Sequence, residues 1–153
     1  MEVLRDEPIV RTILRVGDSV VLETTQSEGL FELDRIDRGR RSVFKPKTNL
    51  AKLFPLKTGQ RLTADFDIGG ASAPATNRRI LLHVLAADEL YVGKCKYRVF
   101  KIEHSETRGE APPAFFEYDY YAPDLKLVIA KEFKERDGRT TLNKYDTISP
   151  VGN

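Results

Sequence analysis

Apolar and polar residues alternate along most of this chain in short runs, broken by turn-forming residues roughly every 8–15 positions. The pattern predicts strands near Ile9–Val16, Ser19–Thr25, Leu30–Ile36, Ser42–Lys45, Arg61–Ile68, Arg78–Ala87, Lys94–His104, Ala114–Tyr121, Lys126–Lys134 and Arg139–Thr147. Arg61–Ile68 shows the clearest period of two: Leu62, Ala64, Phe66 and Ile68 against Thr63, Asp65 and Asp67, as in an antiparallel strand with one wet face. Gly17-Asp18, Glu28-Gly29, Arg38-Gly39 and Asp137-Gly138 supply residues that tolerate positive φ at turns. The small residues from Gly69 to Asn77 read as a long loop, and Gly109–Pro113 as a stiffer break, because proline cannot join a ladder.

Three segments are less simple. In Lys94–His104, Cys95, Tyr97 and Val99 hold one phase and Phe100 and Ile102 the other, which predicts a β-bulge near Val99–Phe100. Asn77–Ala87 fits either a helix capped by Asn77 or a strand buried on both faces. Thr48–Phe54 reads as a helical turn ending before Pro55, with Leu50, Leu53 and Phe54 on its apolar side. Together these elements predict an all-β fold: one strongly curved antiparallel sheet or open β-barrel of about eight to ten strands, with at most one or two short helices.

The chain has 153 residues, which suits a single domain with its own core, read here as 1–153. Hydrophobic residues at 41% exclude a disordered chain, and no apolar run is long enough to cross a membrane as a helix. A single cysteine, Cys95, excludes an internal disulfide. The net charge of +2 hides an uneven layout. Arg35–Arg61 carries nine bases and one acid, and Glu103–Asp124 six acids and one base. Both read most simply as solvated faces and loops. The sharper reading is an anionic-polymer patch built on Arg38, Arg40, Arg41 and Lys45.

Candidate chemistry is sparse. His83 and His104 lack the spacing of a metal motif and read as a packed and a solvent-facing histidine, so no metal or cofactor is expected. Cys95 with His83 or His104 would make a thiol-dependent enzyme only if the thiol were activated, and a buried structural thiol is the plainer reading. Alternation across Ala114–Tyr121 predicts Phe116, Tyr118 and Tyr120 toward the core and Glu117 and Asp119 toward water. With Phe115 and Tyr121, this strand has more aromatic area than one face needs. The surplus suggests a lined hollow or contact patch. Basic and aromatic residues are separated in sequence, which argues against a single-stranded nucleic-acid binder.

From about Leu50 onward the order of motifs resembles a family of β-rich domains of unknown function in exported or envelope-associated proteobacterial proteins. The pieces are Phe54–Gly59, Gly93–Val99, Tyr120–Leu125 and Val128–Phe133. The resemblance implies a curved antiparallel sheet, strand rather than helix at Arg78–Ala87, and residence in the periplasm or envelope. The opening Met1–Glu7 lacks a leader's basic-then-apolar pattern, so that location requires a leader already removed; otherwise the protein is cytoplasmic. The expected function is a non-enzymatic binding or scaffold domain. Phe66, Leu82, Tyr97, Phe116 and Tyr118 would face an apolar small molecule or a protein partner on the concave side.

Overall fold

The computed structural model describes residues 1–6, 8–70 and 73–149. They form one antiparallel sheet of eleven strands in strict sequence order: β1 Glu2–Asp6, β2 Ile9–Val16, β3 Ser19–Ser27, β4 Phe31–Asp37, β5 Arg40–Pro46, β6 Arg61–Gly70, β7 Ala73–Val92, β8 Cys95–Arg108, β9 Ala114–Ala122, β10 Leu127–Lys134 and β11 Thr140–Lys144. The sheet curls strongly into a half-barrel.

β2 to β11 correspond to the ten expected strands; the eleventh, β1, is a short charged edge strand with Leu4 exposed, too weakly patterned to read from sequence. Arg78–Ala87 is strand, inside β7, and Thr48–Phe54 contains a single 3-10 turn at Leu50–Leu53. The expected long loop at 69–77 is mostly ladder: β6 runs through Gly70 and β7 begins at Ala73, its pairing partner, while residues 71 and 72 lie outside the described residues. The bulge expected in β8 sits on its neighbour instead. β8 pairs without a break through Val99–Ile102, and the register shift falls at Leu85 of β7. β8 changes phase because it feeds two cores: Val99 lies in one, while Phe100 packs against the other, to which Ile102 belongs.

The larger core fills the hollow. Its wall is Phe31, Phe44, Leu62, Ala64, Phe66, Ile80, Leu82, Val84, Ile102 and Tyr121. Its filling is the β5–β6 connection, which brings Leu50, Leu53, Phe54 and Leu56 against that wall. Phe54 stands edge-on to Phe31 at 6.1 Å and reaches Tyr121 at 6.5 Å. Backbone bonds moor the connection at both ends: Lys47 N–H donates to Asp65 C=O (2.8 Å), Gly59 N–H to Val84 C=O (2.7 Å), and Val84 N–H to Gln60 C=O (2.9 Å). A smaller core of Val92, Val99, Tyr120, Ala122, Leu127, Ile129 and Ala130 is met by Tyr145 and Ile148 of the C-terminal segment.

The curl brings distant turns together. The Tyr121 hydroxyl donates to the Glu28 carbonyl (2.7 Å), and Lys126 pairs with the Glu28 carboxylate (3.0 Å). At Gly29 (φ +66°) an added Cβ would stand 1.7 Å from the Lys126 carbonyl oxygen, whereas at Gly39 (φ +81°) it would meet nothing within 4 Å. Gly39→Ala is therefore expected to cost about 1 kcal/mol of left-handed strain. Gly29→Ala should cost several-fold more, because two backbones must separate. Urea unfolding of both variants checks this; equal destabilisation would contradict the packing of these turns.

Candidate functional site

The expected site residues do not converge. Phe66 and Leu82 are core wall, only 1% and 3% exposed. Tyr97 packs on the smaller core. Phe116 and Tyr118 lie on β9, where the expectation for the carboxylates is overturned: Glu117 and Asp119 are each 2% exposed, Phe116, the extra residue of a bulge, is 50% exposed with its ring 5.4 Å from that of His104, and Tyr120 reaches the smaller core as expected. Glu117 pairs with His104 across β8–β9, and Asp119 pairs with Ile102, so these carboxylates share the concave face with Ile102 and, by alternation, Tyr121. The carboxylates turn inward because cations meet them there. The Phe115 and Tyr118 rings can turn outward because lysines roof them: Lys101 Nζ lies 4.6 Å from the centre of the Tyr118 ring, and Lys134 Nζ lies 5.1 Å from that of Phe115. His104, expected in solvent, is buried.

The concave end of β7–β10 thus carries a row of ionisable groups. Arg78 on β7 grips Glu106 on β8 through two hydrogen bonds, one of 2.9 Å from Nε to Oε2. His104 Nε2 lies 3.1 Å from Glu106 Oε1, and Nδ1 lies 3.1 Å from Asp119 Oδ2 and 3.9 Å from Glu117 Oε1. Lys131 on β10 closes the row, bonded to Glu117 and 3.4 Å from Asp119 Oδ1. Burial works against the imidazolium of His104, but the hydrogen bond to Asp119 and the close negative charges of Asp119 and Glu106 outweigh it and lift the pKa to about 9. Burial also works against the Glu106 carboxylate, yet His104 and Arg78 hold its pKa down to about 2. Glu117 is pushed up by burial and by the neighbouring Asp119, whereas bonding to His104 and the charge of Lys131 overcome burial and hold Asp119 down. Two buried atoms, His104 Nε2 and Asp119 Oδ1, make no hydrogen bond. The Glu106 contact of Nε2 and the Lys131 contact of Oδ1 are ion pairs only.

The remaining candidates separate. Cys95 is exposed, at the β7–β8 turn, so it is not the buried thiol expected. His104 lies nine residues further along β8, roughly 30 Å at ~3.3 Å per residue. His83 pairs with Glu103 and is similarly remote, so neither histidine reaches the thiol. Of the basic residues, Arg40 and Ser42 face one side of β5 and Arg41, Val43 and Lys45 the other. Arg38 and Arg40, with Arg35, Asp37 and Ser42, line an open groove of about 470 Å³. Arg41 is held by Asp34 at 2.9 Å, and Lys45 lies with it along a second groove beside Gly69 and Gly70. The four residues form no continuous track.

One cleft is mainly apolar. Phe54, Pro55, Leu56, Phe100, Tyr121 and Pro123 enclose about 370 Å³ where the filled hollow reaches the surface, with the Glu28–Lys126 pair on the rim. No helix among the described residues is long and apolar enough to cross a membrane. Comparison of the chain with family models, with curated proteins and with solved structures finds no match.

The two printed shifts set a pH window. His104 is raised, so its share of stability is full below pH about 6.5 and is lost as pH rises through about 9. Glu106 is lowered, so its share is full above pH about 4.5 and is lost as pH falls toward about 2. In chelator, the His104 and Glu106 shares are together full between those inner limits and are expected to fall on both sides, by on the order of 3 kcal/mol on the alkaline limb. His104→Gln should abolish that alkaline limb in urea titrations run across pH. A limb unchanged in the variant would contradict the assignment.

Proposed function

We propose that this protein is a non-enzymatic binding domain of the cell envelope that takes an apolar small molecule in the cleft between the β5–β6 connection and the β9–β10 turn. The observation that carries the reading is the cleft itself. There the apolar filling of the half-barrel meets solvent as a concavity, at Phe54, Leu56, Phe100 and Tyr121. Its volume of about 370 Å³ falls in the range of small-ligand sites and is too small for a folded partner to enter. The expected ligand face thus moves from the mid-sheet residues Phe66 and Leu82, which the connection covers, to the edge of that connection. The envelope setting rests on the motif order Phe54–Gly59, Gly93–Val99, Tyr120–Leu125 and Val128–Phe133. The anion-binding reading contracts to Arg35, Arg38 and Arg40, whose groove suits one anionic group better than a polymer.

Anilinonaphthalene sulfonate, displaced by a medium-chain alcohol, is the probe that tests the cleft. The folded wild type should bind with enhanced fluorescence. Pro123→Arg, at a half-buried rim position, should weaken binding about tenfold, the loss of roughly 1.4 kcal/mol, with the unfolding midpoint unchanged. No binding by the wild type, or equal binding by the variant, would remove this reading.

A further inference from the structure

The row of charges on the concave face has the parts of a metal site. The nearest donor atoms of His104, Glu117 and Asp119 all lie within 4.8 Å of one another, with Nδ1 to Oδ2 at 3.1 Å and Nδ1 to Oε1 at 3.9 Å. A tetrahedral ion with bonds of about 2.1 Å holds its donors roughly 3.4 Å apart, so only small side-chain shifts are needed. A second observation points to the same place. Asp119 is 2% exposed, and its Oδ1 accepts no hydrogen bond of good geometry, its one counter-charge being the Lys131 ammonium at 3.4 Å. On the far side of the imidazole, Nε2 lies 3.1 Å from Glu106 Oε1 as an ion pair, and Arg78 fixes Glu106. Metal-binding histidines characteristically donate their other ring N–H to a carboxylate, and Glu106 stands close enough to accept it after a small reorientation.

We propose that His104 Nδ1, Glu117 and Asp119 form a site for one first-row divalent ion of the zinc type, which enters as the Lys131 ammonium swings out. Lys131 occupies the cation position in the structure, bonded to Glu117 and 3.4 Å from Asp119 Oδ1. Its side chain is 44% exposed, so a flexible stem can carry the ammonium to water. The exchange keeps the buried charge balanced. Arg78, His104 and Lys131 offset Glu106, Glu117 and Asp119 before it. Afterwards the ion's two charges replace the ammonium and the proton that His104 gives up on ligation. One nitrogen and two carboxylates suit zinc, cobalt or nickel; calcium and magnesium require all-oxygen shells of six or more donors. Three protein donors leave one position for water.

The test uses the untagged full chain, stripped with chelator and titrated with Zn²⁺ by calorimetry and with Co²⁺ by visible absorption. The wild type should take one ion per chain, and Co²⁺ should give an intense four-coordinate spectrum. Asp119→Asn and Glu117→Gln should each weaken Zn²⁺ binding at least about tenfold. Lys131→Ala should tighten it, because the competing ammonium is gone, whereas a purely structural ion pair predicts no binding to tighten. Cys95→Ser, at a remote exposed position, should change nothing. No uptake at about 1 mM Zn²⁺, uptake indifferent to Asp119→Asn, or weaker binding by Lys131→Ala would each overturn the proposal. If a carboxylate variant does not fold, the wild-type histidine signals decide. Co²⁺ must perturb His104 and spare His83; the reverse, or no perturbation, refutes the site.

Discussion

Every strand of this sheet pairs only with its neighbours in sequence, so the ladder ends at β1 and β11 and never closes on itself. An open sheet of this width leaves a broad apolar hollow that has to be covered. The solution is internal. The sheet curls, and the connection between β5 and β6 crosses the hollow carrying Leu50, Leu53, Phe54 and Leu56. Full burial of such side chains is worth about 1.5–3 kcal/mol each. The curl, the meeting of the Glu28-Gly29 turn with Lys126, and the cleft at the edge of the connection all follow from that one filling.

The filling does not reach the far end of β7–β10, and there the inner lining changes character. Arg78, His104 and Lys131 are interleaved with Glu106, Glu117 and Asp119, so each buried charge has an opposite one beside it, although Glu117 also meets the like charge of Asp119. A row of this kind contributes less to stability than an apolar lining of equal volume would, because each ion must first be desolvated. The same face thus carries two unlike surfaces: a cleft lined mainly by rings and aliphatics, and a cluster lined by ions.

Period-two alternation places β2 to β11 and the alternating face of β6, where Leu62, Ala64 and Phe66 point inward. It fails where both faces of a strand are covered. In β8, Val99 and Ile102 are both buried in different cores, and a phase change that suggests a bulge is a strand with two dry sides. In β9 the polarity rule sends Glu117 and Asp119 to water, yet both are buried, while Tyr120 does reach a core, the smaller one. Hydropathy alone sends Phe116 and Tyr118 inward, but His104 and Lys131, distant in sequence, are what make the inward position of Glu117 and Asp119 affordable. The charge cluster was invisible for the same reason: its members come from four strands, and no spacing in the chain unites them. The one local signal was Glu117 and Asp119 two residues apart, opposite a histidine at the matching distance from the turn.

Proton–proton Overhauser contacts among aromatic rings observe directly whether the connection occupies the hollow. The Phe54 ring should show contacts to Phe31 and to Tyr121, whose ring centres lie 6.1 Å and 6.5 Å away. A Phe54 ring with random-coil shifts and no contact to either would mean that the hollow is open and that this description of the molecule is wrong.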